Sequence, residues 1–238
     1  MSALSDMQRA GPSRGASAGR RTVARVVLAL LVFGAAPARG QSGVGTWLSY
    51  SAAVRASQVS VALDVQLRSH DAARDFEQAA LRAGVAVVVG RVTLVGGGFA
   101  ALTERAGTPD DPAADLRLYQ DAMLRHRAGP VRVAHRVRAE ELLVGGVRLR
   151  GRYQLSATLP LAGDAVRRGS VYAVVSAEPF LRGPGRRGQA VFDRARLTGG
   201  VGVRTTDRFG VRASVVAQVY AERTDVQVQL SLHHALDF

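Results

Sequence analysis

The chain has no cysteine in 238 residues. That excludes a disulfide framework, a thiolate metal site and a lipid anchor on an N-terminal cysteine. It has no lysine either: all 32 basic residues are arginine, which fits a GC-rich genome. Aromatics make up only 5% of the chain. No apolar run approaches the roughly 20 residues that a membrane-spanning helix needs. No helical period of 3.6 persists after residue 41 either.

The net charge is +13, unevenly spread. Residues 1–40 hold six arginines and one acid, which leaves 26 arginines against 18 acids in the remainder. A basic chain invites a nucleic-acid reading. Here, however, the arginines alternate with aliphatics and form no basic helix, so no nucleic-acid partner is expected. Arg20, Arg21 and Arg25 precede the apolar stretch Val26 to Phe33 and small residues ending Ala38-Arg39-Gly40. This is the pattern of a secretory signal peptide. Residues 1–40 are therefore expected to be cleaved after Gly40, with Ala38 as second choice. Arg20-Arg21 alone does not argue for twin-arginine export, because a barrel crosses the inner membrane unfolded. Sec-type export is expected.

From there to the C-terminus, segments alternate between apolar and polar residues. The last strand reads Val226, Val228, Leu230, Leu232, Leu236 and Phe238 on one face, and Asp225, Gln227, Gln229, Ser231, His233 and Asp237 on the other. Segment 131–143 sets Val131, Val133, His135, Val137 and Ala139 against Arg132, Arg136, Arg138 and Glu140. Segment 146–159 sets Val147, Leu149, Tyr153, Leu155 and Leu159 against Arg148, Arg150, Arg152, Gln154, Ser156 and Thr158. Segments 57–68 and 207–221 repeat the pattern. A period of two marks strands with two unlike faces. A soluble sandwich shows it too, so direction must be argued. The apolar face is nearly free of charge while the polar face carries several arginines per strand. The segments are long enough to cross a bilayer when tilted. An arginine facing lipid at mid-bilayer costs about 2–4 kcal/mol, which puts the charges inside a transmembrane antiparallel up-and-down β-barrel, residues 41–238. Eleven segments are countable. Bacterial single-chain barrels usually have an even number of strands, so about 12 are expected, within a range of 10 to 12. Phe209 and Phe238 are expected at the periplasmic rim.

A final strand stopping on phenylalanine resembles the assembly signal of outer-membrane barrels. Phe238 and Leu236 are its expected contacts with the barrel assembly machinery. Trp47-Leu48-Ser49-Tyr50, His135-Arg136-Val137-Arg138-Ala139-Glu140, Arg148-Leu149-Arg150-Gly151-Arg152-Tyr153, Ser176-Ala177-Glu178-Pro179-Phe180-Leu181 and Phe192-Asp193-Arg194-Ala195-Arg196-Leu197 follow in an order and spacing that resemble domain of unknown function 2490. The resemblance spans most of 46–238. It implies a barrel in the outer membrane of a Gram-negative bacterium, surrounded by outer-membrane lipid, with no assigned activity.

The strongest chemical constellation is an inward ladder: Arg136, Arg138, Arg148, Arg150, Arg152, Arg194 and Arg196, with Glu140 and Glu178 on neighbouring strands. One reading is an anion-attracting lumen, since arginine rings select anions in pores. The other is arginine–carboxylate pairing that braces a small barrel. Inward arginines outnumber inward acids, so pairing cannot neutralise them all. The five histidines, His70, His126, His135, His233 and His234, are scattered, with no metal-ligand spacing. His233 and Ser231 share a face but stand roughly 7 Å apart along the strand. No catalytic residue, metal or cofactor is expected. A passive barrel or narrow anion-preferring pore is preferred to the alternative, a barrel hydrolase with its site at the extracellular rim. Gly96-Gly97-Gly98 lacks the lysine of a phosphate loop and reads as a bend in the wall.

Overall fold

The computed structural model describes residues 44–71, 75–90, 93–105, 112–183 and 191–237. The expected signal peptide, residues 1–40, and Phe238 lie outside them. Eleven strands follow one another: β1 Gly45–Ala56, β2 Val59–Ser69, β3 Phe76–Val89, β4 Thr93–Arg105, β5 Pro112–Ala128, β6 Val131–Leu142, β7 Arg148–Pro160, β8 Val171–Arg182, β9 Phe192–Arg204, β10 Phe209–Val219 and β11 Thr224–Asp237. They close into one barrel in which each strand pairs with its sequence neighbours.

Ten of the eleven pairs are antiparallel. The closing pair, β1 with β11, is parallel, Gly45 opposite Gln227 and Arg55 opposite Asp237. Eleven falls within the expected range of 10 to 12, one short of the even number favoured. The first segment belongs to the wall, and no twelfth strand occurs among the described residues. An odd count makes the first and last strands run the same way, and their edges still pair. Side chains clasp this seam on both faces. Inside, the Ser49 hydroxyl donates to Ser231 Oγ at 2.9 Å and Ser51 Oγ lies 2.8 Å from His233 Nδ1. Outside, Tyr50 lies 3.2 Å from His234 Nδ1.

The period of two decides which way each side chain points. Val59, Val61, Leu63, Val65 and Leu67 of β2 are all exposed on the outer wall, as are Val137, Leu149, Tyr153, Leu155, Val228 and Leu230. Arg138, Glu140, Arg150, Gln227 and Gln229, on the other face of the same strands, are buried inside. Leu159 departs from its row. It is buried beside Pro160 where β7 ends, next to Ala173 of β8. On the outward row of β6, Glu141 stands near the strand end, whereas the Asp193 carboxylate pairs with Arg182 at 2.8 Å and lies 4.0 Å from the inward Arg150.

The glycines of β4 serve close approach rather than a bend alone. A Cβ on Gly98 would stand 2.1 Å from Ala83 O and 2.7 Å from the Tyr119 hydroxyl. The Tyr119 ring lies over Gly84 and Gly98 and its hydroxyl donates to Ala83 O at 3.1 Å.

The two barrel ends differ. One, here the loop end, carries the start of β1 and the connections 70–75, 106–111, 143–147, 183–191 and 220–223. The other, the turn end, carries the end of β11 and the connections 57–58, 90–92, 129–130, 161–170 and 205–208, mostly tight turns.

Candidate functional site: a floored, arginine-lined lumen

The ladder residues converge near the loop end because antiparallel register sets them level. Glu140 faces Arg150 and Arg138 faces Arg152 across β6–β7. Glu178 faces Arg196 and Phe180 faces Arg194 across β8–β9. Glu140 accepts from Arg150 Nε at 2.8 Å and also from Arg152. Glu178 Oε1 accepts from Arg152 at 2.8 Å and from Arg136 at 2.9 Å. Its other oxygen lies 3.5 Å from Arg196, which also donates to Gln218 at 3.1 Å. Arg138 makes a two-pronged bond to Asp121, both arms 2.6 Å. Such forked charged bonds are the strong kind. Glu140 and Glu178 are only 3% and 2% exposed, so their charges survive burial only because these guanidiniums surround them.

Carboxylates alone do not balance the layer; aromatic faces supply the remainder. Phe180, 1% exposed, has the guanidinium carbons of Arg152, Arg194, Arg196 and Arg150 at 4.5, 4.8, 5.1 and 5.7 Å from its ring centre. Trp47 takes Arg68 at 3.8 Å and Arg196 at 4.8 Å, and Tyr119 takes Arg138 at 3.9 Å. Cation–π attraction of this kind strengthens when water is excluded. The result is a floor across the lumen: Phe180, Trp47, Glu140, Glu178, Gln218 and Gln227 are all buried.

Arg136, Arg138, Glu140, Arg150, Arg152, Glu178, Arg194 and Arg196 meet in or at the edge of this floor. Arg148 does not; it is exposed at the loop end. Leu236 pairs with Val54 across the seam. The sequence reading missed Trp47, Tyr119, Asp121 and Phe180. All four lie on inward rows made mainly of polar residues, with Ala53, Met123 and Val174 among them, and the polar majority is the signal that could have found them. It also missed Asp64 with Arg82, an inward pair at 2.7 Å.

Above the floor the lumen opens into a cavity of about 690 Å³, within the range of small-molecule sites. Ser49, Ser60, Ser156, Thr158 and Thr198 line it, and at the turn end Arg204, Arg208 and Arg212. The floor arginines have carboxylates or rings. At the mouth, Arg204 donates to the backbone carbonyl of Asp207, and Arg212 Nε is buried without a partner. His233 Nε2 is likewise buried and unpartnered. Ser51 and His233 form a hydroxyl–imidazole contact inside the cup. The nearest carboxylate of that row, Asp64, is held instead by Arg82 and by Gln66 at 2.7 Å, so it does not complete a triad.

Two further histidines meet on the outer wall. His126 and His135 stack at 5.3 Å with their Nε2 atoms 3.1 Å apart, and His135 Nδ1 lies 2.8 Å from the Tyr153 hydroxyl. Among the described residues no cluster of three or more metal-ligating side chains occurs.

No curated protein matches the chain. A family model described as protein of unknown function (DUF2490) matches residues 44–229, from the start of β1 into β11. The chain belongs to that family.

Proposed function

We propose that the chain is an exported outer-membrane barrel whose lumen is a cationic cup, floored near the loop end and open at the turn end, that admits small anionic solutes. Its first forty residues act as a Sec-type signal peptide, and its C-terminal strand is read by the barrel assembly machinery. The observation that carries the cup is the contrast along the lumen axis: paired arginines below, arginines without carboxylates above.

The membrane reading draws on the outer wall. Apolar side chains stand exposed around it, including Val61, Leu81, Val95, Leu118, Val137, Leu155, Val201 and Leu230. A soluble protein rarely leaves so large an apolar surface uncovered, and lipid is the solvent it suits. The short turns and the end of β11 share one end, which is the periplasmic end in outer-membrane barrels. On that orientation the cup faces the periplasm and the floor faces outward. A floored cup favours binding over free conduction, which replaces the narrow pore as the preferred form of an anion-selective lumen.

The test is site-directed labelling of the folded protein in lipid; the chain has no native cysteine to interfere. Spin labels at 137 and 149 are expected to contact a lipid-soluble relaxant, and a label at 136 to contact a water-soluble one. No lipid contact at 137 and 149 would overturn the membrane reading.

A further inference from the structure

We propose that the inner wall around Gly210 is a binding site for a tetrahedral oxyanion, the phosphoryl or sulfuryl group of a small solute. The proposal deepens the cup reading and rests on it.

Gly210 lies near the start of β10 and faces inward. A Cβ built there would press on the Val203 carbonyl oxygen at 3.2 Å and stand 3.9 Å from Arg204 Cα; with no side chain the wall here is bare backbone, recessed between the longer neighbours. Cations frame the recess. Gly210 pairs with Arg204 of β9 and with His233 of β11. Arg212 is the next inward residue of the same strand, and Arg208 stands in the turn just before it. All four side chains line the cup. They come from three successive strands and one turn, and so from different directions.

The carboxylates that quench the floor are missing here. Among the described residues, no salt bridge joins Arg204, Arg208 or Arg212 to an acid. Asp207 of the adjoining turn is exposed and offers Arg204 its backbone carbonyl. Asp64, on the same lateral row, is occupied by Arg82.

Two orphaned atoms point to an acceptor. Arg212 Nε and His233 Nε2 are buried without partners, whereas about 90% or more of buried polar groups have one. The floor arginines Arg68, Arg136, Arg194 and Arg196 also leave Nε unpartnered, but each has an acid, an amide or a ring against its guanidinium. The Ser51 hydroxyl has its short contact, 2.8 Å, with His233 Nδ1 and a longer one, 3.4 Å, with the Leu232 carbonyl; donation along the short contact puts the ring proton on Nε2, making it a donor. Ser51 is a positioning residue in this role. A planar carboxylate satisfies one guanidinium fork, whereas a tetrahedral group with three or four oxygens accepts from several directions at once. The cavity of about 690 Å³ leaves room for an organic remainder above the floor.

The experiment titrates the folded full-length mature barrel in detergent with inorganic phosphate, inorganic sulfate and acetate, read by calorimetry at constant ionic strength. Saturable one-site binding of phosphate or sulfate, with acetate at least about tenfold weaker, is expected. Preference between phosphate and sulfate identifies the group. Arg212→Gln is expected to weaken binding by about tenfold or more. Gly210→Leu, which fills the recess and leaves every charge in place, is expected to abolish it. Ser51→Ala is expected to weaken it by a smaller factor, with Ser51→Thr restoring it. Acetate binding as tightly as phosphate would overturn the proposal. So would affinities unchanged in both Arg212→Gln and Gly210→Leu. A cysteine at Thr158, on the cup wall, separates the two levels. If it reacts with a water-soluble thiol reagent and phosphate does not bind, the site fails and the cup stands. If it does not react, both fail.

Discussion

The two halves of the lumen use the same residue type for opposite ends. At the floor, Arg150 and Arg152 grip Glu140, Arg136 and Arg152 grip Glu178, and Arg194 and Arg68 lie against Phe180 and Trp47. At the mouth, Arg204, Arg208 and Arg212 face the cavity with no acid paired to them among the described residues. What distinguishes a bracing arginine from a binding one is therefore its neighbour. Two buried carboxylates and the three buried rings of Phe180, Trp47 and Tyr119 turn the lower cations into packing. On the proposed reading, their absence leaves the upper ones for a ligand from solution.

Removing a floor carboxylate breaks this contrast most severely. Glu178→Ala leaves Arg136, Arg152 and Arg196 facing one another without their shared anion. Removing one partner of a buried ion pair costs about 3–5 kcal/mol, and a loss of that order is expected in urea unfolding followed by heat-modifiable gel mobility. Phe180→Ala removes a fully buried ring and its four guanidinium contacts, and a loss of about 3–5 kcal/mol is expected in the same assay.

The outer wall is tested next. Val137→Arg places a charge on the apolar face and is expected to destabilise by about 2–4 kcal/mol if the residue lies near mid-bilayer. The mouth is expected to behave the opposite way. Arg212→Gln should change stability far less than Glu178→Ala, because it breaks no ion pair among the described residues, while weakening anion binding. A loss as large as that of Glu178→Ala would show that the mouth arginines brace the barrel too, and the contrast would fall. Smallest of all, Arg148→Gln should alter neither property, because Arg148 is exposed and outside both halves.

Much of this is legible in the chain. A period of two groups Arg136, Arg138, Glu140, Arg150 and Arg152 on one face and Val137 and Leu149 on the other, and the cost of an arginine facing lipid then sets the charged face inside. The same period says nothing about height along the axis or about what lies across the lumen. Whether Arg152 and Arg212 share one environment is therefore invisible in it. Partners brought together by closure are invisible as well. His233 meets Ser51, 182 residues away, not Ser231 on its own strand, because β1 and β11 pair only once the barrel shuts. The odd strand number follows from the same seam. Trp47 and Phe180 look like ordinary barrel aromatics in sequence; their inward position and guanidinium neighbours make them counter-ions in effect.

Planar-bilayer recording of the wild-type protein tests the floored cup most directly, with insertion checked by lipid contact at residue 137. Inserted protein without discrete conductance steps is expected, since Phe180, Glu140 and Glu178 and their arginines fill the lumen near the loop end. Regular, long-lived steps from wild-type barrel, with a reversal potential favouring anions, would mean an open pore and would contradict the floored cup.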